Sequence, residues 1–445
     1  MNILKNMADG QTVLLGNEIN TETNQPTDNK IGLFYRDRFF HSLIIGPVGS
    51  GKSSLVVGPM LKQDVENNDL GVIVLDPIGD TARDTAAYAK YRNRPVIYFN
   101  PLDKNSVFFN PLMGNEEEVI DVMTKTFNML NETDSLYFKD CCEELLRNSI
   151  KLVKRVFGNQ ANLDHLLAVM TNEDGQGKKW TTNLSKSTFD PVNASDNQTV
   201  ISYFYDDYYT GIGGDRKGTM TFMNCSAIRV LVKRMVSNKY LRKVLIPPEN
   251  AYTNNMLNFD DVLENSDVLC ICSANRALGD TAKYLGLLLM NAISSAVFRR
   301  PGNISSRKGV IMYMDECHSY ETNGLSELIL HGREYNVALV MTAQSRVALE
   351  EHCKGNRNLF LEDISSCVKN IVLMPACSTK DAQYYSQEFG DPKFTADTIQ
   401  YLPYGTAICR LVKGNTIQRP VLVDLTANAN KEIKDIPPLV EKEPF

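Results

Sequence analysis

Eight consecutive residues, Gly46-Pro47-Val48-Gly49-Ser50-Gly51-Lys52-Ser53, fit the spacing GxxxxGKS; an apolar run, Ser42–Ile45, precedes them and a run of helical character begins near Ser53. The chemistry open to this order is narrow. Glycines free backbone N–H groups to face phosphate oxygens, the helix start adds the positive end of its dipole, and a lysine and a hydroxyl supply a charge and a metal ligand. Lys52 is therefore expected against the β- and γ-phosphates of ATP and Ser53 on Mg²⁺. Gly46, Pro47, Val48, Gly49, Ser50, Gly51 and Ser54 complete the expected cradle. A glycine-rich turn that binds nothing has no use for strand, lysine and hydroxyl together.

A second apolar run, Val310–Met314, ends in Asp315-Glu316. Beside a phosphate loop, one carboxylate can organise Mg²⁺ through its water shell and the next can polarise the water that attacks the γ-phosphate. Asp315 is assigned to the metal and Glu316 to the base. Alone, an Asp-Glu pair after a strand reads equally as a solvated strand end. A third run, Val337–Met341, leads into Thr342-Ala343-Gln344-Ser345 and puts an amide, Gln344, where it can sense the γ-phosphate. Arg333, just before that run, is a candidate arginine finger for a neighbouring subunit; its plainer reading is a surface arginine paired with Glu334 or a helix end.

The chain carries a formal charge of −6 and a sequence pI near 5.6, so no global field draws it to nucleic acid. Any such contact must be local. Between Arg216 and Lys243 there are eight basic residues and no acidic one. Arg229 and Lys233 share a helix face with Arg234 at its edge, which makes these three the candidate phosphate contacts of a DNA path. The competing reading is a solvated helix face, or one that meets the acidic Glu116–Glu118 of a neighbour.

Elements must hold these residues in place. Apolar runs at Ser42–Ile45, Val72–Leu75, Val96–Phe99, Val268–Cys272, Val310–Met314, Ala338–Met341 and Ile371–Met374 suit parallel strands buried on both faces. The expected fold class is α/β: a P-loop nucleotide-binding domain with a mostly parallel central sheet, interrupted by an inserted, mostly helical domain. The interruption shows in Val119, Ile120, Met123, Phe127 and Leu130, and again in Leu145, Leu146, Ile150, Val153 and Val156, all at helical spacing. Residues 31–114 and 255–430 are assigned to the nucleotide-binding domain and 115–254 to the helical insertion. Residues 1–30 are a polar N-terminal segment and 431–445 a mobile tail; Asn193–Asn197 and Thr210–Gly214 read as loops. The longest apolar stretch, Tyr284–Phe298, falls short of the roughly 18 residues a membrane span needs, so no span is expected. Ten cysteines without a CxxC pair read as reduced, mostly buried thiols of a cytoplasmic protein.

Taken together, Gly46–Ser53, Val74-Leu-Asp76-Pro-Ile-Gly-Asp80, Phe109-Asn-Pro-Leu112, Met314-Asp-Glu-Cys-His318 and Thr342-Ala-Gln-Ser345, with Gly332-Arg-Glu-Tyr335 as a weaker addition, resemble the type IV secretion coupling proteins. These are the TraG and TraD group within the HerA and FtsK superfamily. The resemblance spans most of residues 40–425. It implies a RecA-like domain whose additional strand lies between the Walker A and Walker B strands, and a homo-hexameric ring. It also implies ATP-driven passage of DNA, chiefly single-stranded, delivered by a relaxase within a relaxosome. Two departures are visible: members usually carry N-terminal membrane helices, and Ile78 stands where a basic residue is frequent. A separate membrane tether or channel protein would then hold this chain at the inner face of the cell membrane. The alternatives are a HerA- or FtsK-like double-strand translocase, the channel-assembly ATPase of the same secretion machinery, and, in another class, a nucleotide-gated scaffold that barely hydrolyses.

Overall fold

The computed structural model describes residues 11–131, 135–186, 194–210, 216–249, 251, 255–352 and 358–426. The chain divides into two compact units. One comprises residues up to Phe99, Phe259–Ala274 and Ala296 onward; the other comprises Asn100–Asn258 and Asn275–Ser295.

The first unit is built on thirteen strands: β1 (Gln11–Asn20), β2 (Gln25–Phe34), β3 (Ser42–Ile45), β4 (Gly71–Asp76), β5 (Val96–Phe99), β6 (Val268–Cys272), β7 (Val310–Met314), β8 (Val337–Ala343), β9 (Asn370–Leu373), β10 (Thr406–Arg410), β11 (Val412–Lys413), β12 (Thr416–Ile417) and β13 (Val421–Asp424). Eleven form one sheet in the order β2-β1-β13-β10-β9-β3-β8-β7-β4-β6-β5. From β9 to β5 all neighbours are parallel. Their C-terminal ends share one edge, where open α/β sheets bind ligands. Val72, Ile73, Val74 and Leu75 are at most 1% exposed, and each buried aliphatic contributes about 2 kcal/mol. β3, β4, β6, β7, β8 and β9 are buried on both faces, which is why they read as unbroken apolar runs.

The polar residues 11–30, expected to lie outside this domain, enter it from Gln11 onward. β1 pairs with β13 through Asn17 and Glu18 and with β2 along its length. Only one face of β1 is buried: Val13, Leu15 and Ile19 are buried, while Leu14 on the other face is partly exposed and its backbone exchanges hydrogen bonds with the Gln63 amide. A half-solvated strand one place in from the sheet's edge has no continuous apolar run to announce it.

Just before β3, in the middle of the sheet, His41 is buried with its ring clamped between two backbones. Nδ1 accepts from the Leu339 N–H at 3.1 Å, so Nε2 carries the proton and donates to the Ile329 carbonyl at 3.1 Å. Burial lowers its pKa from 6.5 to about 4. A lowered folded-state pKa stabilises the fold above the unfolded value, and that stability drains as pH falls from 6.5 toward 4. The shift corresponds to about 3 kcal/mol. The denaturant midpoint is expected to drop across this window in the wild type and to drop less in His41→Asn, which does not titrate.

The second unit is helical. Glu116–Leu130, Leu136–Phe157, Leu163–Thr171, Gln176–Lys186 and Ser226–Ser237 are its principal elements. Leu145, Leu146, Ile150, Leu166, Phe204 and Leu241 are wholly buried in it. Asn193–Asn197 was expected as a loop, yet Ala194–Ser202 is a helix. Asp196 there is ion-paired with Lys151 at 2.9 Å and with Arg155, and Val200 is fully buried. Tertiary contacts therefore override the weak local propensity. Most of the other expected loop, 211–214, and the tail 431–445 lie outside the described residues. Among the described residues one helix, Asp280–Phe298, is long and apolar enough to cross a membrane, but 72% of its most apolar window is buried. That burial marks a core helix. Nine cysteines among the described residues are free thiols, seven of them buried.

Candidate nucleotide site

β3 ends at Ile45 and the chain turns at once: the Gly46 N–H donates to the Ala343 carbonyl at 3.2 Å, and Ser50 N–H to Pro47 at 3.2 Å. Gly51 has φ +93°, a conformation an L side chain rarely adopts. Gly46 is needed for closeness, since a Cβ there would lie 2.5 Å from Cβ of Met374. The helical turns Lys52–Val57 follow and continue into Gly58–Val65. Lys52 folds back over the loop, its amine donating to the Pro47 carbonyl at 3.0 Å and also to that of Gly46. Partial burial pushes its pKa down while Asp315 and Glu316 pull it up, so the two acids are close enough to act on it electrostatically. The Ser50 hydroxyl is buried without a partner, while Ser53 and Ser54 are exposed and Val48 is 82% exposed at the loop's tip.

The additional strand lies where the resemblance implied. β8 pairs with β3 on one side and β7 on the other, and the register Met314↔Met341 carries Asp315 to the level of Thr342. Thr342 then does what the sequence did not disclose. Its hydroxyl donates to Asp315 Oδ1 at 2.5 Å and accepts from the Glu316 N–H at 3.1 Å. One side chain fixes both acids. The signal was available only through strand pairing, because nothing about a threonine in an apolar strand marks it. Gln344 Nε2 donates to Glu316 Oε1 at 2.9 Å. Glu316 itself has φ +47° and ψ +60°, unusual for a residue with a Cβ and found where function holds the backbone in place. Lys52, Asp315, Glu316 and Gln344 thus belong to one constellation at the C-terminal edge of the sheet.

Asp76, at the end of β4, is buried and accepts from the Ile78 and Ala82 N–H groups at 2.8 and 3.1 Å. Burial raises its pKa, and the Asp315 charge adds to the rise. It caps the helix Asp80–Tyr91, and the Ile78 side chain is 43% exposed.

Does the set suit Mg²⁺ and a nucleotide? Among the described residues no three His, Cys, Asp or Glu side chains gather to bind a metal alone. Mg²⁺ beside phosphates needs only one or two carboxylates and otherwise keeps water, so a hydroxyl at Ser53 and one carboxylate at Asp315 fit it. The unpartnered Ser50 hydroxyl and the folded-back Lys52 amine are polar groups in want of an anion.

Other expected site residues lie elsewhere. Arg333 is exposed at the opposite end of β8 from Gln344, about 20 Å along the strand. Its guanidinium stacks 3.9 Å from the Phe40 ring and donates to Asn415 Oδ1 at 3.3 Å. It takes no part in its own subunit's constellation. In the helical unit Arg229 does not join Lys233 and Arg234 on a free basic face: it packs 3.6 Å over the Phe222 ring and donates to the Phe222 carbonyl and the Tyr208 hydroxyl. Lys233 and Arg234 are exposed, with Arg234 donating to the Tyr284 hydroxyl at 3.0 Å.

Two family models match: "Type IV secretory system Conjugative DNA transfer" over residues 5–221 and "TraM recognition site of TraD and TraG" over residues 309–406. No curated protein matches. Among solved structures, plasmid coupling protein TrwB with ADP and Mg²⁺ is 14% identical over 96% of this chain and 95% of that one, with a TM-score of 0.62. TrwB with the non-hydrolysable GTP analogue GDPNP gives 0.61 at 14% identity over 96% of each chain. VirB4 of Thermoanaerobacter pseudethanolicus gives 0.55 at 13% identity over 94% of this chain and 96% of that one. At such identities the structures establish a shared fold, the RecA-like P-loop fold with a helical domain. With one family model running from before the P-loop well into the helical unit, the other covering the strands that carry the acid pair and Gln344, and the two together matching well over half of the chain, the chain belongs to the conjugative DNA-transfer coupling proteins of type IV secretion systems, the TraG and TraD group.

Proposed function

We propose that this chain is an ATP-hydrolysing motor that moves single-stranded DNA, presented by a relaxosome, through a ring of six copies. The observation that carries the reading is the double clamp on the acid pair. A positioned base is useless to a scaffold that only binds nucleotide, whereas hydrolysis needs a carboxylate held ready.

In this reading the backbone of Gly46–Ser54 binds the phosphates of ATP and Lys52 leaves its carbonyl partners to meet the β- and γ-oxygens. Ser53 and Asp315 hold Mg²⁺, which supplies positive charge to the phosphate oxygens. Glu316 accepts the proton of the attacking water, and Gln344, bonded to that carboxylate, reports whether the γ-phosphate is present. TrwB has been solved with ADP and Mg²⁺ and with ATP and GTP analogues, which supports a nucleotide at the same loop. Arg333 acts on catalysis only if a neighbouring subunit presents its site to that edge of the sheet. The model named for TraM recognition, over residues 309–406, supports a relaxosome protein as partner. A tether at the inner face of the membrane belongs to the same proposal.

DNA contact falls to Lys233 and Arg234, because Arg229 is spent on packing. Replacing both by Ala is expected to lower the slope of log affinity for single-stranded DNA against log salt by about 1.4, two lost phosphate contacts at about 0.7 each. Basal ATP turnover should be unchanged. Fluorescence titrations from low to physiological salt read the slope; an identical slope removes this helix from the DNA path.

A further inference from the structure

Two large aromatic side chains on one short loop of the first unit have no role in the fold. Tyr401 is 75% and Tyr404 67% exposed, whereas Leu402 between them is buried. The loop is not loose. The Thr406 N–H and hydroxyl both bond the Pro403 carbonyl, at 3.3 and 2.7 Å, and the Leu425 N–H bonds Gly405 at 2.8 Å. Next to them, Gln400 Nε2 donates to the Thr379 hydroxyl at 3.3 Å. A rigid loop that keeps two rings in water is preorganised for something that covers them.

The sheet fixes where the loop stands. Ile45 is level with Leu373, and Leu373 with Ile408, in a strand that runs the other way. Thr406 is therefore level with Pro47, and Tyr404 with the rim of the phosphate loop. β10 is two strands from β3, a lateral offset of about 10 Å. The polarity of the site points the same way. Asp315, Glu316 and Gln344 sit at the ends of β7 and β8, on one side of β3, so the γ-phosphate end of a bound nucleotide faces that side. The nucleoside end must leave toward β9 and β10. Among the described residues of this unit the other exposed large apolar side chains are Val48, Ile78, Tyr91, Ile304, Leu330 and Ile417. Tyr91 is the sole aromatic among these six, and it closes the helix Asp80–Tyr91 that starts from this edge and runs away from it.

We infer that the 401–405 loop is the wall of a nucleobase site, with Tyr404 stacking on the purine of the nucleotide held by the phosphate loop and Tyr401 closing its outer side. The inference rests on the ATP-site reading above. Stacking on a π-face does not distinguish adenine from guanine, so the site selects a nucleotide with a base over a bare polyphosphate rather than one purine over the other.

The test compares three probes on the full chain, each with Mg²⁺: ATP, GTP and inorganic tripolyphosphate. Tyr404→Ala is expected to weaken ATP and GTP by about tenfold or more, the usual worth of a base–aromatic stack, and to leave tripolyphosphate unchanged. Tyr404→Trp should restore both nucleotides, which a loop that had merely lost its structure would not. Lys52→Ala is the control for the underlying site and should weaken all three probes. Loss of all three in Lys52→Ala with unaltered ATP affinity in Tyr404→Ala and in Tyr401→Ala/Tyr404→Ala overturns the base wall while the phosphate site stands. If Lys52→Ala changes none of the three, the nucleotide site itself is wrong and the wall falls with it. Equal loss of tripolyphosphate and ATP in Tyr404→Ala also overturns the proposal.

Discussion

Glu316→Gln is expected to bind ATP as the wild type does and to hydrolyse it on the order of 10³-fold more slowly. Gln keeps the length of the side chain and leaves an oxygen to accept from Gln344, so the clamp of Thr342 and Gln344 persists and the phosphate loop is untouched. What disappears is the capacity to take a proton from water, and a positioned general base contributes about 10²- to 10⁴-fold. Lys52→Ala, by contrast, should lose affinity itself. Steady-state phosphate release and equilibrium nucleotide binding, measured on the same preparations, separate the two effects. Turnover near the wild-type rate in Glu316→Gln would mean that the base is another residue.

Asp64→Ala is expected to cost about 3–5 kcal/mol and to leave little folded protein. Asp64 and Arg38 are both about 2% exposed and form a bidentate pair, Nη1 to Oδ1 and Nη2 to Oδ2, both 2.6 Å; the Tyr313 hydroxyl donates to Oδ2 at 2.5 Å. Removing the carboxylate strands a guanidinium in the core, where its desolvation has no compensation. Removing all the polar partners together has the opposite logic: Arg38→Met/Asp64→Leu/Tyr313→Phe should recover most of the lost stability. Tyr313 lies in β7, whose end carries the acid pair, so this core polar network also sets the strand that presents Asp315 and Glu316. Chemical denaturation reads the order expected: wild type and triple variant close together, Asp64→Ala far below. A single variant as stable as the wild type would show that Arg38 finds water.

How much could be read from residues alone depended on what each element buries. The parallel strands were legible because burial on both faces forces unbroken apolar runs, as in Val72–Leu75 and Val268–Cys272, and the edge strand Val96–Phe99 kept its apolar run although it is only partly buried. β1, β2, β11 and β12 were not, since half-solvated strands mix Asn17, Glu18 and Lys413 with their apolar residues, while β10 and β13 are largely buried but offer apolar runs of only three residues, Ala407–Cys409 and Val421–Val423. The site followed the same rule. Asp315, Glu316 and Gln344 at strand ends and Lys52 at the helix start carry side-chain types that state the chemistry, whereas Thr342 and the 401–405 loop acquire meaning only from which strands lie side by side. Arg229 shows the reverse error: its charge suggested a phosphate contact, but the ring of Phe222 and the hydroxyl of Tyr208 occupy it.

The measurement that bears most directly on the proposed motor is ATP turnover by the purified chain as single-stranded DNA is added, for wild type and Glu316→Gln side by side. The account predicts turnover that rises with DNA in the wild type and stays near zero in Glu316→Gln at every DNA concentration. Wild-type protein that binds ATP and DNA yet hydrolyses no faster than Glu316→Gln, with or without DNA, would contradict it and leave a nucleotide-gated scaffold.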